Sequence, residues 1–211
     1  MPFLVLGDPT PDATLRLAAA LVDAGADLLE FGLPFSDPPA DGPVIQAADV
    51  RALQGGMTTA RCFDTLRRVR AHHPDVPIAL LVYFNLVLQP GVSAFFTMCR
   101  DAGVDAVLIA DLPLEAAGEV VAAATLHDVA PVFVASELSS DARLQEIGRL
   151  GGGYVYVVAH VGTTGERSAL ATGPLATTVE RVRRLTGLGA ACRVRCSAMS
   201  PRSSSAHQGG A

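Results

Sequence analysis

The sequence predicts an α/β fold built on a parallel sheet, and three observations predict it. Short apolar runs alternate along the chain with longer segments of helical period. The apolar runs are continuous, the pattern of strands buried on both faces. Gly recurs where helix passes into strand, as in Ala24-Gly25-Ala26-Asp27 and Ala102-Gly103-Val104-Asp105. There it suits a left-handed helix C-cap, and the Asp opens the next strand. About six such βα units in sequence favour a (β/α)8-type barrel over a doubly wound sheet. No strand runs into Gly-x-Gly-x-x-Gly, which counts against dinucleotide binding.

Strands are expected at 3–6, 28–33, 78–83, 106–110, 130–134 and 154–158. Helices are expected at 11–22, 59–71, 92–102, 114–127, 141–150 and 175–185, with a further one at 44–53. Thr10 is placed to cap the first helix, and Pro11 suits its first position. The alternation stops near Leu188. A full barrel takes about eight units and about 250 residues. The expectation is therefore an incomplete barrel over 1–188, with strands seven and eight missing. The tail over 189–211 is rich in Arg, Ser and Gly, lacks an apolar period and reads as disordered.

A chain of 211 residues allows one large domain. Half of it is hydrophobic and 5% aromatic, so the core must come from Ala, Val and Leu. The net charge of −5, with mixed signs and no basic stripe, argues against nucleic acid as partner. No stretch reads as a signal peptide or a membrane-length apolar run, so no membrane partner and a cytoplasmic location are expected. Cys62 and Cys99 sit in helical patterns as small hydrophobes. Cys192 and Cys196 lack the further ligands of a zinc site. His72, His73, His127, His160 and His207 show no metal spacing and read as surface residues, so no metal is expected.

The densest chemical signal is Glu30-Phe31-Gly32-Leu33-Pro34-Phe35-Ser36-Asp37-Pro38-Pro39-Ala40-Asp41-Gly42-Pro43. An apolar run ends in Glu30 and breaks into Gly and Pro, so a buried strand delivers this carboxylate to its C-terminal mouth. Asp37 and Asp41 follow in a loop stiffened by prolines. One carboxylate on a strand end and one on a rigid loop suit acid/base chemistry. The plainer reading of Glu30 is a strand-end acid facing a helix N-terminus. For Asp41 it is a turn-former in Asp-Gly, which is compatible with catalysis. Asp37 reads as a structural turn residue in Ser-Asp-Pro.

This block resembles the signature of the tryptophan synthase alpha subunit family. Phe3-Leu4-Val5-Leu6-Gly7-Asp8-Pro9 resembles that family's first strand and turn, and Leu80-Leu81-Val82-Tyr83-Phe84-Asn85 its third strand. Val107-Leu108-Ile109-Ala110-Asp111-Leu112-Pro113 resembles the fourth, and Gly153-Tyr154-Val155-Tyr156 the sixth. The resemblance implies a lyase that cleaves indole-3-glycerol phosphate to indole and glyceraldehyde 3-phosphate. It implies Glu30 as general acid/base and Asp41 as acceptor of the indole N–H. It implies Phe3, Leu81, Leu108 and Tyr156 around the indole. Asp111, just after the fourth strand, is a polar contact or the cap of the helix that follows.

Gly162-Thr163-Thr164-Gly165 resembles the family's mobile loop, with Thr164 bonding the catalytic aspartate and Gly165 left to meet the phosphate. The flanking Ala159-His160 departs from the family's pattern. No cofactor is implied for this chain; pyridoxal phosphate belongs to the partner. That partner is the beta subunit of an α2β2 assembly, met by the Asp37–Asp41 loop and the helix at 44–53. The family's phosphate loops after strands seven and eight are absent, so turnover is expected to be weak or lost. The alternative is a non-catalytic module that docks on the beta subunit. A sugar-phosphate isomerase would need a different acid/base arrangement. The family's helix before its first strand is also absent, so the chain reads as shortened at both ends. Codons can be chosen for Gly189 to Cys196 whose next frame reads Ala-Leu-Pro-Val-Ala-Phe-Gly-Val, resembling the family's seventh strand. A frameshifted tail is therefore expected, and the coding DNA tests it.

Overall fold

A computed structural model describes residues 1–158 and 172–191. The strands are β1 (Phe3–Val5), β2 (Leu29–Gly32), β3 (Ile78–Val82), β4 (Ala106–Ile109), β5 (Ala130–Ala135), β6 (Tyr154–Val157) and β7 (Gly189–Ala191). The helices are α1 (Pro11–Asp23), α2 (Pro43–Gln54), α3 (Thr59–His72), α4 (Phe84–Leu88), α5 (Val92–Asp101), α6 (Gly118–Leu126), α7 (Asp141–Leu150) and α8 (Thr172–Thr186). The strands lie side by side in chain order and every pair is parallel. This is the curled α/β sheet of a barrel wall, as the alternation predicts.

Local sequence explains the first crossover. Thr10 adopts extended backbone and its hydroxyl accepts from the Ala13 N–H at 3.2 Å, with Pro11 opening the helix. Gly25 and Gly103 both take positive φ, +88° and +70°, as the helix-to-strand links predict. At Gly103 a Cβ would also press on the Arg70 side chain, so Gly is required there twice over.

Strand seven is present: Gly189–Ala191 pairs with Tyr154–Tyr156 of β6. Its Gly and Ala carry no strand signal, and the partner's backbone supplies the order. Residues beyond Ala191, and with them most of the expected tail, lie outside the described residues. The single helix expected over 114–127 is a 3₁₀ turn at Leu114–Ala116 followed by α6, with Gly118 at the break. A short helix, α4, was hidden in the apolar run that continues from β3.

Outward side chains of β1 to β4 meet the helices in one large core that holds Phe31, Phe63, Phe95 and Phe96. Phe95 meets Phe63 edge-on at 5.7 Å and Phe96 at 5.6 Å. A second core joins β5, β6, α7 and α8. A third lines the inner face with Ala79, Leu81, Ala106, Leu108, Val132, Tyr154 and Tyr156. Cys62 and Cys99 are free and buried in the first core, as expected. Burial pushes the Cys62 thiol up to about 12, so it packs as a hydrophobe. His127 corrects the surface reading. It is 8% exposed, beside Thr97 and Arg100, because it ends α6 where α5 packs.

Arg70 on α3 ties down the N-terminal ends of β3 and β4. Its guanidinium donates to the carbonyls of Gly103, His73, Pro74 and Val76. It also pairs with Asp105 at 2.6 Å, and Asp105 accepts from the Ile78 N–H at 2.7 Å. Removing it strands several carbonyls at once. Arg70→Ala is expected to lose about 3 kcal/mol of stability in urea unfolding, with Lys recovering only part.

Candidate active site

Glu30 sits on the inner face of β2. Leu29 and Phe31 on either side of it point outward into the helix-covered core. The register places Glu30 between Phe3 of β1 and Ala79 of β3, and Ala79 is followed by Ala106 of β4. Only 1% of Glu30 is exposed. On one side of the buried carboxylate the neighbours in register are thus small. On the other side the Phe3 ring lies over Gly32, where a Cβ would come within 2.7 Å of it.

The next register row runs Val5, Gly32, Leu81, Leu108 and Val132, of which Leu81, Leu108 and Val132 line the inner core. Leu81 and Leu108 are buried there, and Tyr156 is buried on β6 in the same inner core. Phe3 packs against that core while remaining partly exposed. The structure thus brings together Glu30, Phe3, Leu81, Leu108 and Tyr156. Thr164 and Gly165 lie outside the described residues.

Asp41 is 4% exposed in the loop between β2 and α2. Gly42 caps α2, Pro43 opens it, and the Asp41 carbonyl accepts from Gln46 Nε2 at 2.8 Å. The Tyr83 hydroxyl donates to Asp41 Oδ2 at 2.7 Å and accepts from the Ala40 N–H at 3.2 Å. Phe35 stacks on the Tyr83 ring with centroids 5.3 Å apart. One tyrosine at the mouth of β3 therefore clamps both ends of the loop. Asp37 is exposed and bonded to the Ser36 hydroxyl, in keeping with a turn role. Asp111 caps α4 rather than the helix that follows it: its Oδ1 accepts from the Phe84 N–H at 2.7 Å.

Sequence reasoning passed over Tyr83 and Tyr154. Burial and then the hydrogen bond to Asp41 raise Tyr83 well above the usual tyrosine range. Burial and then the charge of Glu30 raise Tyr154 likewise, which sets this hydroxyl within the field of Glu30. The Tyr-x-Tyr spacing on β6 was the available signal, since period two puts both rings on the same face. Among the described residues no group of His, Cys, Asp and Glu could hold a metal ion, and no helix is long and apolar enough to cross a membrane.

The family model for "Tryptophan synthase alpha chain" matches residues 1–194. The chain belongs to the tryptophan synthase alpha chain family. The alpha chain of Photobacterium profundum is 48% identical over 165 residues, 78% of this chain and 61% of that one. That of Edwardsiella ictaluri is 50% identical over 165 residues, 78% of this chain and 62% of its own length. This chain thus spans about three-fifths of the curated relatives it matches. A chain in the structure of the tryptophan synthase α2β2 complex of the hyperthermophile Pyrococcus furiosus superposes with a TM-score of 0.83 at 35% identity. That match covers 91% of this chain and 76% of the other.

The tyrosines give a direct check. Tyr83 and Tyr154 keep their protons above the ordinary value of about 10, whereas an unfolded chain releases them there. Stability from this source is present below pH about 10 and is lost as pH rises further. In an alkaline titration, two of the three tyrosines should give no tyrosinate absorbance at pH about 10 until the chain unfolds.

Proposed function

We propose that this chain houses the alpha-chain reaction of tryptophan biosynthesis, the aldol-type cleavage of indole-3-glycerol phosphate to indole and glyceraldehyde 3-phosphate. The observation that carries the reading is a pair of buried carboxylates, Glu30 on the inner face of β2 and Asp41 in the loop after it, beside an apolar inner wall.

The chemistry needs one proton placed on C3 of the indole and one removed from a glycerol hydroxyl. The C–C bond then breaks, its electrons return to the ring, and the carbonyl of the aldehyde forms. Proton count is conserved, so one carboxyl group can serve both transfers. Glu30 takes that role. Asp41 accepts from the indole N–H and offsets the positive charge that grows on the ring as C3 is protonated. Tyr83 holds one of its oxygens in place. Phe3, Leu81, Leu108 and Tyr156 exclude water from the ring, which strengthens both interactions. Thr164 and Gly165 are assigned to loop closure and phosphate contact.

The proposed partner is a beta subunit. The exposed Asp37 and the half-exposed Val44 and Val50 of α2 support docking on that side. Pyridoxal phosphate is assigned to the partner and no cofactor to this chain. The same exposed face favours a second reading, a module that docks without turnover.

Indole release from indole-3-glycerol phosphate, with and without a beta subunit, tests the assignment. Glu30→Gln is expected to lower kcat at least about 10²-fold, and Asp41→Asn about 10²-fold, with circular dichroism unchanged. Release indifferent to Glu30→Gln would remove the assignment. Co-purification with the beta subunit and no release from the folded parent would establish the docking module instead.

A further inference from the structure

The N-cap of α4 is Tyr83, and its own side chain makes no capping bond. Caps are ordinarily Ser, Thr, Asp or Asn. Tyr83 has the extended backbone of a cap, φ −101° and ψ 147°, but its hydroxyl is used elsewhere, on Asp41 and Ala40. The missing cap comes from the neighbouring strand end. Asp111 Oδ1 accepts from the Phe84 N–H at 2.7 Å, although it lies 27 residues further along the chain. On the other side of Tyr83, the Val82 carbonyl accepts from the Ala110 N–H at 2.9 Å. Both peptide groups that flank Tyr83 are therefore held by consecutive residues beyond β4.

The two holds differ in kind. The bond to Val82 continues the ladder of β3 and β4, and any residue at 110 except proline would supply it. The bond to Phe84 needs a side-chain acceptor, so it depends on what stands at 111. With both peptides fixed, the Cα–Cβ direction of Tyr83 is fixed. With one released, it can swing. A tyrosine hydroxyl lies about 6 Å from its Cβ, so a swing of about 10° moves it by about 1 Å, enough to break a hydrogen bond.

We propose that Asp111 is a positioning residue for Asp41. It acts through Tyr83: by capping α4 from outside, it aims the phenol that holds the Asp41 carboxylate and the Ala40 amide. Asp111 is exposed and fills no core space, so truncating it leaves no cavity. The consequence for turnover rests on the lyase reading; the coupling between the two loops does not.

Amide hydrogen exchange, followed by NMR of the isotope-labelled chain, reads that coupling. In Asp111→Ala the Phe84 amide loses its acceptor. The Ala40 amide, which donates to the Tyr83 hydroxyl, should then exchange at least about tenfold faster. The ladder amides of β3 and β4 should stay protected. Asp111→Asn keeps an acceptor oxygen and should restore both amides. Tyr83→Phe should open Ala40 as far, and Asp111→Ala added to it should open Ala40 no further. A parent rate at Ala40 in Asp111→Ala, or a further rise in the double variant, would overturn the proposal. Loss of the ladder protection would do the same, because Asp111 would then hold the sheet rather than the phenol. With substrate, Asp111→Ala should lower kcat about tenfold with KM within about twofold, and Asp111→Asn should stay near the parent. A parent without indole release would remove the lyase reading and leave amide exchange to decide the role of Asp111.

Discussion

Glu30 occupies the interior of a parallel sheet, and its position depends on strand register. Side chains of a strand alternate between faces, so a slip of one residue in β2 would turn Glu30 into the helix layer and bring Leu29 or Phe31 inside. Leu29 and Phe31 prevent that slip, because both are fully buried against the helices. The apolar outer face thus fixes the position of a polar inner residue. Burying a carboxylate is unfavourable unless something compensates it. The small side chains of Ala79 and Ala106 lie in the same register row as Glu30.

From that register the rest of the site is assembled by polar links between neighbouring strand ends. Asp111, beyond β4, caps α4 and so fixes the chain direction just after Tyr83, beyond β3. Tyr83 in turn holds Asp41 and stacks on Phe35, both beyond β2. Arg51 of α2 closes the sequence at the turn after β1 through Asp8. Four consecutive strand ends are joined in this way, and each link is a side chain reaching the next loop. Loops so tied keep their shape without help from a core, which suits residues that must meet a substrate.

Glu30 and Asp41 were legible because their signal is local: an apolar run, a carboxylate, then Gly and Pro. Phe3, Leu81, Leu108 and Tyr156 were legible from strand period. Tyr83 and Asp49 were not. Tyr83 ends an apolar run and looks like core, and its role appears only when Asp41, 42 residues earlier, folds over it. Asp49 sits among alanines in a helix and looks solvated, yet it is buried. The strand at Gly189–Ala191 was invisible for a related reason, since its order comes from the backbone of β6 and not from its own side chains. What escaped in each case was a tertiary contact that overrides a local preference.

The two ends of the sheet use charge in opposite ways. At the N-terminal end, around Arg70, one cation satisfies four backbone carbonyls and one carboxylate. At the C-terminal end Asp41 and Asp49 are both buried, and burial, then the charge of Asp41, pushes Asp49 up to about 7. Such a pair costs stability, as functional sites commonly do. The fold tolerates it because the two ends lie on opposite sides of the same strands. The Arg70 end can therefore hold β3 and β4 in register while the Asp41 end stays electrostatically unrelaxed.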